Sequence, residues 1–152
     1  MALSVQVSEM IDRPVSEVFE FYAHRHIQNH PRWDPQMHLE QVSDGPIDVG
    51  TVIRRRNTHS GTPVEGTMEV VEFEADRVFA VVIHDGSTVT HGRVTFEAKD
   101  DTLTKMTIGA DFMHMDESMR EFMTGLMQRS ARNIKSLIES ERRPLSGISS
   151  GS

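Results

Sequence analysis

Histidines are the side chains in this sequence best suited to metal or acid–base chemistry, and the chain has eight of them. His24, His26 and His30 form the densest group. Ligands two residues apart point to different sides of a helix, however, and no His-Glu-x-x-His or comparable spacing occurs. We therefore expect neither a metal site nor a bound cofactor.

Covalent catalysis has little support, because the chain contains no cysteine. The Ser60–Gly61 pair lies among turn-forming residues and not in a Gly-x-Ser-x-Gly motif. Chemistry that polarises a carbonyl and moves a proton needs fewer special residues than covalent catalysis. A cation or hydroxyl and one titratable group near a shaped pocket are enough. The catalytic candidates for those roles are His59, Arg55 and Tyr22.

Arg55 is the middle one of three consecutive arginines, residues 54–56. Neighbouring side chains on a strand point to opposite faces, so an inward Arg55 shares its face with Ile53, Asn57 and His59. The alternative is an arginine that is solvated or paired across strands. A buried guanidinium without a partner is costly, so an inward Arg55 predicts an acidic or carbonyl-bearing ligand.

The elements that would position these groups follow a clear order. Alternating apolar and polar residues over 3–11 predict a strand, and Asp12 followed by Pro14 marks the start of a helix of about three turns. The stretch NHPRWDPQM then holds the only tryptophan between two prolines, which favours a short, broken helical piece. Trp33 is either a plug over one end of the core or part of an entrance, and we favour the entrance.

The rest of the chain predicts a sheet followed by a long helix. Residues 38–113 alternate strand and turn patterns without a helix-length crossover, which indicates about six further strands in an antiparallel meander. Apolar residues then recur at helical spacing between Asp116 and Pro144, predicting an amphipathic helix of about six turns. We expect one domain over residues 1–142 and a disordered tail over 143–152.

The ordered set of these segments resembles the START-like, or helix-grip, superfamily (SRPBCC). The likeness rests on the opening strand, on DRPVSEVFEFY, PRWDP, VGTVIRRR, VVEFEADRVFAVV and FEAKDDTLTKMTI, and on the terminal helix. It is nearest the polyketide cyclase/dehydrase and lipid-transport branch. It implies an α+β fold in which a curved antiparallel sheet of six to seven strands wraps around a long C-terminal helix, with two short helices after the first strand.

The resemblance also implies an apolar cavity between the sheet and the long helix, although an ordinary packed core is the alternative for each apolar row. Strand parity and helical spacing select the side chains that would face the cavity. The predicted ligand-binding residues are Trp33, Ile53, Arg55, Asn57, Phe79, Val81, Ile83, Val94, Phe96, Met106, Ile108, Phe112, Phe122, Met123, Leu126 and Met127.

We expect this chain to bind a hydrophobic or amphipathic small molecule, lipid or polyketide-like, in that cavity. An enzyme of the cyclase or dehydratase type, a lyase or isomerase acting on a substrate held in the same cavity, is the alternative hypothesis. A protein-interaction module is a third, which no specific feature favours.

Charge and composition narrow the partners. The net charge of −7 argues against nucleic-acid binding, which usually shows a basic domain. The first residues lack a basic leader and an apolar run, so we expect neither secretion nor a membrane span. The absence of cysteine suits the cytoplasm, and the sequence leaves a homodimer open.

Overall fold

A computed structural model describes residues 2–141, and within them the antiparallel sheet and long helix expected from the sequence are confirmed. Seven strands form one sheet in the order β1-β7-β6-β5-β4-β3-β2. The predicted tail, residues 143–152, lies outside the described residues. The strands are β1 (Ala2–Ile11), β2 (Met37–Gln41), β3 (Val52–Asn57), β4 (Val64–Glu74), β5 (Val78–Asp85), β6 (Thr88–Asp100) and β7 (Leu103–Met113).

Two helical segments follow β1, and a long helix follows β7. Helix α1 (Val15–Phe19) continues as a π-helical turn (Glu20–His24) before α2 (His26–Trp33), and α3 spans Arg120–Ser140 after a 3₁₀ turn (Glu117–Met119). The sequence predicted a short helical piece broken by prolines around Trp33. Helix α2 is short and ends at Trp33, before Pro35, but Pro31 lies inside it, where its missing N–H removes a single intrahelical bond.

Helix α3 runs alongside β1 in the same direction. Near its start, Arg120 Nη1 donates to the Ser4 carbonyl oxygen at 2.7 Å. Near its end, Lys135 Nζ donates to the Met10 carbonyl oxygen at 2.5 Å. Neighbouring strands are antiparallel. The start of α3 therefore lies at the end of the sheet where β1 begins and where β3, β5 and β7 finish.

The interior between the sheet and the helices has a closed end and an open end. At the closed end, near the C-terminus of α3, most inward-facing apolar side chains from α1, the sheet and α3 are buried. At the other end Leu3, Arg55, Asn57 and Phe112 are buried as well, but several inward-facing residues remain only partly buried. The closed end includes Ile11, Phe19, Phe96, Met106, Ile134 and Ile138, and the open end includes Ile83, Thr90, Ile108, Leu126 and Met127.

The first half of α3 leans toward one margin of the sheet. Met123 and Met127 pack beside Leu3, Val5 and Phe112, which belong to β1 and β7. This placement leaves the middle strands, β5 and β6, less covered at the open end.

Phe122 corrects one prediction from the helical pattern. The apolar stripe of α3 placed it toward the sheet, but its exposed fraction is 60%. Each residue turns a helix by about 100°, so Phe122 sits at the margin of the stripe centred on Met123 and Met127. Its side chain lies at the rim of the open end and not in the core.

A row of three residues crosses the inner face of the sheet at the open end. Arg55 on β3 is paired with Gly66 on β4, and Gly66 is paired with Asp85 on β5. A Cβ added at Gly66 would lie 2.5 Å from Asp85 Oδ1 and would clash with the His84 carbonyl oxygen. The missing side chain at Gly66 is therefore what lets Arg55 reach across a whole strand to Asp85.

We predict that Gly66→Ala lowers the free energy of unfolding by about 2 kcal/mol or more, because the new methyl group overlaps backbone and the Asp85 carboxylate. Gly92→Ala is the matched control on the same face, since its nearest neighbour would be a Val81 methyl at 3.4 Å. Urea unfolding of both variants measures the difference. Equal stabilities for the two variants would contradict the required gap at Gly66.

Candidate functional site

The inward arginine predicted from strand parity is present. Arg55 is buried, and its Nε donates to Asp85 Oδ1 at 2.9 Å. Asn57 Nδ2 donates weakly to the other carboxylate oxygen of Asp85, at 3.4 Å. The neighbouring arginines, 54 and 56, are exposed, as the alternation of a strand requires.

Asp85 changes what Arg55 implies about a ligand. The sequence suggested that an inward Arg55 would need an acidic or carbonyl-bearing guest, whereas the protein supplies the carboxylate itself. The pair is close to neutral, and Asp85 would repel a second carboxylate. A guanidinium carries five N–H donors, so donors remain for a neutral acceptor such as a carbonyl oxygen.

Helix α2 contributes a hydrogen-bonded pair of imidazoles. His26 Nδ1 lies 2.8 Å from the Tyr22 carbonyl oxygen, and His26 Nε2 lies 3.0 Å from His30 Nδ1. Burial, opposed only in part by the Tyr22 hydrogen bond, lowers the pKa of His26 to about 4. Burial, aided by the nearby charges of His26, Arg55 and His59, lowers the pKa of His30 well below its usual range. Both rings are therefore neutral near pH 7.

His59 lies at the rim and not inside. Its strand, β3, ends at Asn57, so the parity that turns Arg55 inward does not extend to His59. Its side chain is 45% exposed, and Nε2 lies 2.8 Å from Asp34 Oδ2. The structure thus pairs this catalytic candidate with a carboxylate at the end of α2 and forms no hydrogen bond between His59 and Arg55 within residues 2–141.

Trp33 is packed into the core, which corrects the preference for an entrance. Only 5% of it is exposed. Its ring stacks between Tyr22, at 5.1 Å between centroids, and His30, at 4.9 Å. The third catalytic candidate, Tyr22, is thereby held as an aromatic wall, and burial raises the pKa of its hydroxyl above the ordinary value.

The predicted ligand-binding residues fall into three groups by burial. Arg55, Asn57 and Trp33 are buried, as are Ile53, Phe79, Val81, Val94, Phe96, Met106 and Phe112. Ile83, Ile108, Met123, Leu126 and Met127 are partly buried, and Phe122 is exposed. One member of the partly buried group, Ile83, adjoins the Arg55 row, because it precedes Asp85 by two residues on the same face of β5.

Sequence reasoning left four polar residues out of the candidate site: His26 and His30, which it weighed only as metal ligands, and Asp34 and Asp85. A signal was present for part of them. His26, His30 and Trp33 follow the spacing i, i+4, i+7, which places them on one face of the short helical piece predicted there, but this shared face was not used. No local pattern marked Asp85, whose partner Arg55 is 30 residues away.

The outer face of the sheet offers a weaker candidate. A shallow depression between β1, β6 and β7 is lined in part by Ser4, His91, Arg93 and Asp111. Its charged groups already have partners: Ser4 Oγ donates to Asp111 at 2.6 Å, and Arg93 Nε donates to Glu72 at 2.7 Å. The interior open end is therefore the better candidate site.

We predict that Asp85→Ala lowers the free energy of unfolding by about 3 kcal/mol, because it leaves a guanidinium with 10% exposure without its counter-charge. Glu40→Ala is the matched control. It breaks the Arg54–Glu40 pair, which has the same 2.9 Å separation but side chains 59% and 70% exposed, so the loss should stay within about 0.5 kcal/mol. Similar losses in the two variants, measured by urea unfolding, would show that burial of the Arg55 pair does not matter.

The His26 pKa makes stability depend on pH. The folded state disfavours the protonated ring, so the unfolded chain binds more protons below about pH 6.5, and folding weakens as pH falls from 6.5 toward 4. From this residue alone we expect a loss of about 2–3 kcal/mol between pH 7.5 and pH 4.5. The loss should be smaller by that amount in His26→Gln and unchanged in His38→Gln, a substitution at an exposed position. An identical pH dependence in wild type and His26→Gln would contradict a buried neutral His26.

Solved structures with the same architecture are distant in sequence. The structure of Ara h 8.0201 superposes with a TM-score of 0.75 at 13% identity, covering 93% of this chain and 100% of that one. The Zhui aromatase/cyclase from Streptomyces sp. R1128 gives a TM-score of 0.75 at 16% identity, covering 97% and 100%. Truncated norcoclaurine synthase from Thalictrum flavum gives 0.71 at 13% identity, covering 93% and 96%. At these identities the likeness shows the fold alone.

A family model gives the closer assignment. The model described as polyketide cyclase / dehydrase and lipid transport matches residues 2–139, whereas a comparison with curated proteins gives no match. None of the helices within residues 2–141 is long and apolar enough to cross a membrane. The family match covers both ends of the interior and every strand of the sheet. This chain therefore belongs to the polyketide cyclase/dehydrase and lipid transport family.

Proposed function

We propose that this chain binds an amphipathic small molecule at the open end of its interior. One observation carries the proposal: Ile83, which shares the inner face of β5 with Asp85, and Met127 of α3, which packs against the same core cluster, both remain only partly buried, and Asp85 forms the buried pair with Arg55. A well-filled core would bury such residues. The apolar body of the guest would cover Ile83, Ile108 and Leu126, and its polar end would meet Arg55.

Apolar contact supplies the affinity in this proposal. Burial yields roughly 25 cal/mol for each Å² of apolar surface removed from water. Met123 and Met127 lie on the α3 side, and methionine side chains adapt to guests of different shape. This adaptability of methionine favours binding of a range of related guests over a single rigid ligand.

Arg55 determines which kind of polar group the guest should carry. Because Asp85 already neutralises it, the arrangement favours a neutral acceptor, such as a ketone or ester carbonyl, over a carboxylate. A hydrogen bond to a charged donor contributes about 1.5–3 kcal/mol, enough to orient a guest whose body is held by nonspecific apolar contact. Polyketide-like compounds and lipids with a carbonyl group both have this chemistry.

A reaction on the bound guest is the second candidate function. The family description includes cyclases and dehydrases, and one structure with this fold is an aromatase/cyclase. The observation that favours it here is the hydrogen-bonded His26–His30 pair on α2, a helix whose end is tied to β3, the strand of Arg55, by the His59–Asp34 pair. His59, the original histidine candidate, contributes less because it is turned toward Asp34.

We predict that 2-tetralone, a bicyclic ketone, binds at least tenfold more tightly than tetralin, the same ring system without the carbonyl, because only the ketone accepts a hydrogen bond from Arg55. The double variant Arg55→Met, Asp85→Asn should bind both compounds with similar affinity, since it removes the donor without leaving a buried charge unpaired. Calorimetric or ligand-observed NMR titration gives the dissociation constants.

Two results would count against this prediction. Failure of both compounds to bind wild type would reject an accessible apolar interior. Tight binding of both with no preference for the ketone, in wild type as in the double variant, would keep the interior site but remove Arg55 from it.

A further inference from the structure

Hydrogen bonds fix the proton positions of the two hydrogen-bonded imidazoles on α2. The Tyr22 carbonyl oxygen can only accept, so Nδ1 of His26 carries the proton between them. In a neutral His26, Nε2 is then an acceptor. Nδ1 of His30, 3.0 Å away, must therefore donate to it.

This assignment leaves Nε2 of His30 with a free lone pair. Within residues 2–141, the hydrogen bond to His26 is the one formed by the His30 ring. The ring cannot turn easily, because it stacks on Trp33 with an interplanar angle of 17° and meets His26 edge to face. Helix α2 is tied to the end of β3, the strand of Arg55: the Asp34 N–H donates to the His30 carbonyl oxygen at 3.0 Å, and Asp34 Oδ2 lies 2.8 Å from His59 Nε2. The charge of Arg55 also contributes to lowering the pKa of His30. An oriented base and an oriented cation thus belong to neighbouring elements.

We propose that Nε2 of His30 is the proton acceptor of this site, acting on a guest with a C–H bond next to a carbonyl group held by Arg55, and that His26 is its positioning residue. The proposal rests on the interior binding proposed above. Nε2 forms a bond to the hydrogen, the C–H bond breaks, and its electron pair moves to the carbonyl oxygen as an enolate. Return of the proton from Nε2 to carbon restores the ketone, so no oxidant, reductant or second substrate is needed.

The surroundings of His30 suit this step. Without a guest, Arg55 disfavours a proton on His30. An enolate oxygen between them would carry a negative charge that attracts both the guanidinium and the newly formed imidazolium. The bond from His30 to His26 would also become charge-assisted and so stronger as the proton arrives.

Other groups at this end fit the role less well. His59 is half exposed and paired with Asp34, and Asp85 is held by Arg55 and Asn57. Burial raises the pKa of the Tyr22 hydroxyl, so this group stays protonated near pH 7 and cannot accept a proton from carbon. The charged and titratable groups that would shape a pH profile of His30 are His26, Asp34, Arg55, His59 and Asp85.

The ring protonation states give a test that needs no variant. Long-range ¹H–¹⁵N NMR of the wild-type protein at pH 7 should show both His26 and His30 with the proton on Nδ1, the less common form of a neutral histidine. Exposed His38 should show the ordinary form with the proton on Nε2. A proton on Nε2 of His30 would overturn the proposal, because that nitrogen would have no lone pair to offer.

Hydrogen exchange tests the chemistry. Wild type in D₂O should speed the loss of α-hydrogen from 2-tetralone over buffer, as followed by NMR of the ketone. His30→Gln should reduce the rate at saturation by about 10²-fold or more, the usual contribution of a general base, with little change in the dissociation constant. His26→Gln should lower the saturated rate and shift its pH profile while binding is kept, and His38→Gln should match wild type.

The outcomes separate this proposal from the binding function. If the ketone binds but exchanges no faster than in buffer, or equally fast in wild type and His30→Gln, the proton-acceptor role is overturned while interior binding stands. If the ketone does not bind, the binding function fails, and this proposal fails with it.

Discussion

A single α-helix is too narrow to cover the concave face of a seven-stranded sheet. A helix with its side chains is about 10 Å wide, whereas seven strands spaced about 4.8 Å apart span nearly three times that width. In this chain α3 lies along β1, and α1 fills the closed end with Phe19. The middle strands at the other end are less covered, and the proposed guest would bind there. The open end thus follows from geometry and needs no special motif.

The polar groups at the open end are held in place by the sheet and by α2. Arg55 reaches Asp85 because Gly66 leaves a gap between them, and α2 presses His26 against Phe79. Each group has at least one partner inside the protein, so the interior does not require a ligand to be stable. Within residues 2–141, the groups left for a ligand are guanidinium N–H donors of Arg55 and one ring nitrogen of His30. In the proposed function, such a site would orient a carbonyl compound and act on the carbon beside it.

Periodicity in the sequence predicted much of the fold. Alternation predicted the strands, helical spacing predicted α3, and strand parity predicted an inward-facing Arg55. Other features depend on tertiary contacts that no short pattern encodes. The Asp85 partner requires the registers of β3, β4 and β5, and the burial of Trp33 requires stacking on Tyr22. The role of His26 and His30 was not predicted, because these histidines were considered only as metal ligands. The burial of Phe122 was predicted wrongly, because the apolar pattern of a helix does not show how much of that helix the sheet covers.

The most direct test of this account is a methyl NMR titration with 2-tetralone, because isoleucines lie at both ends of the interior. The account predicts shifts for Ile83 and Ile108 at the open end, and no shift for Ile11 and Ile138, which are buried at the closed end. Shifts confined to the closed end, or to side chains on the outer face of the sheet, would contradict a guest held beside Arg55.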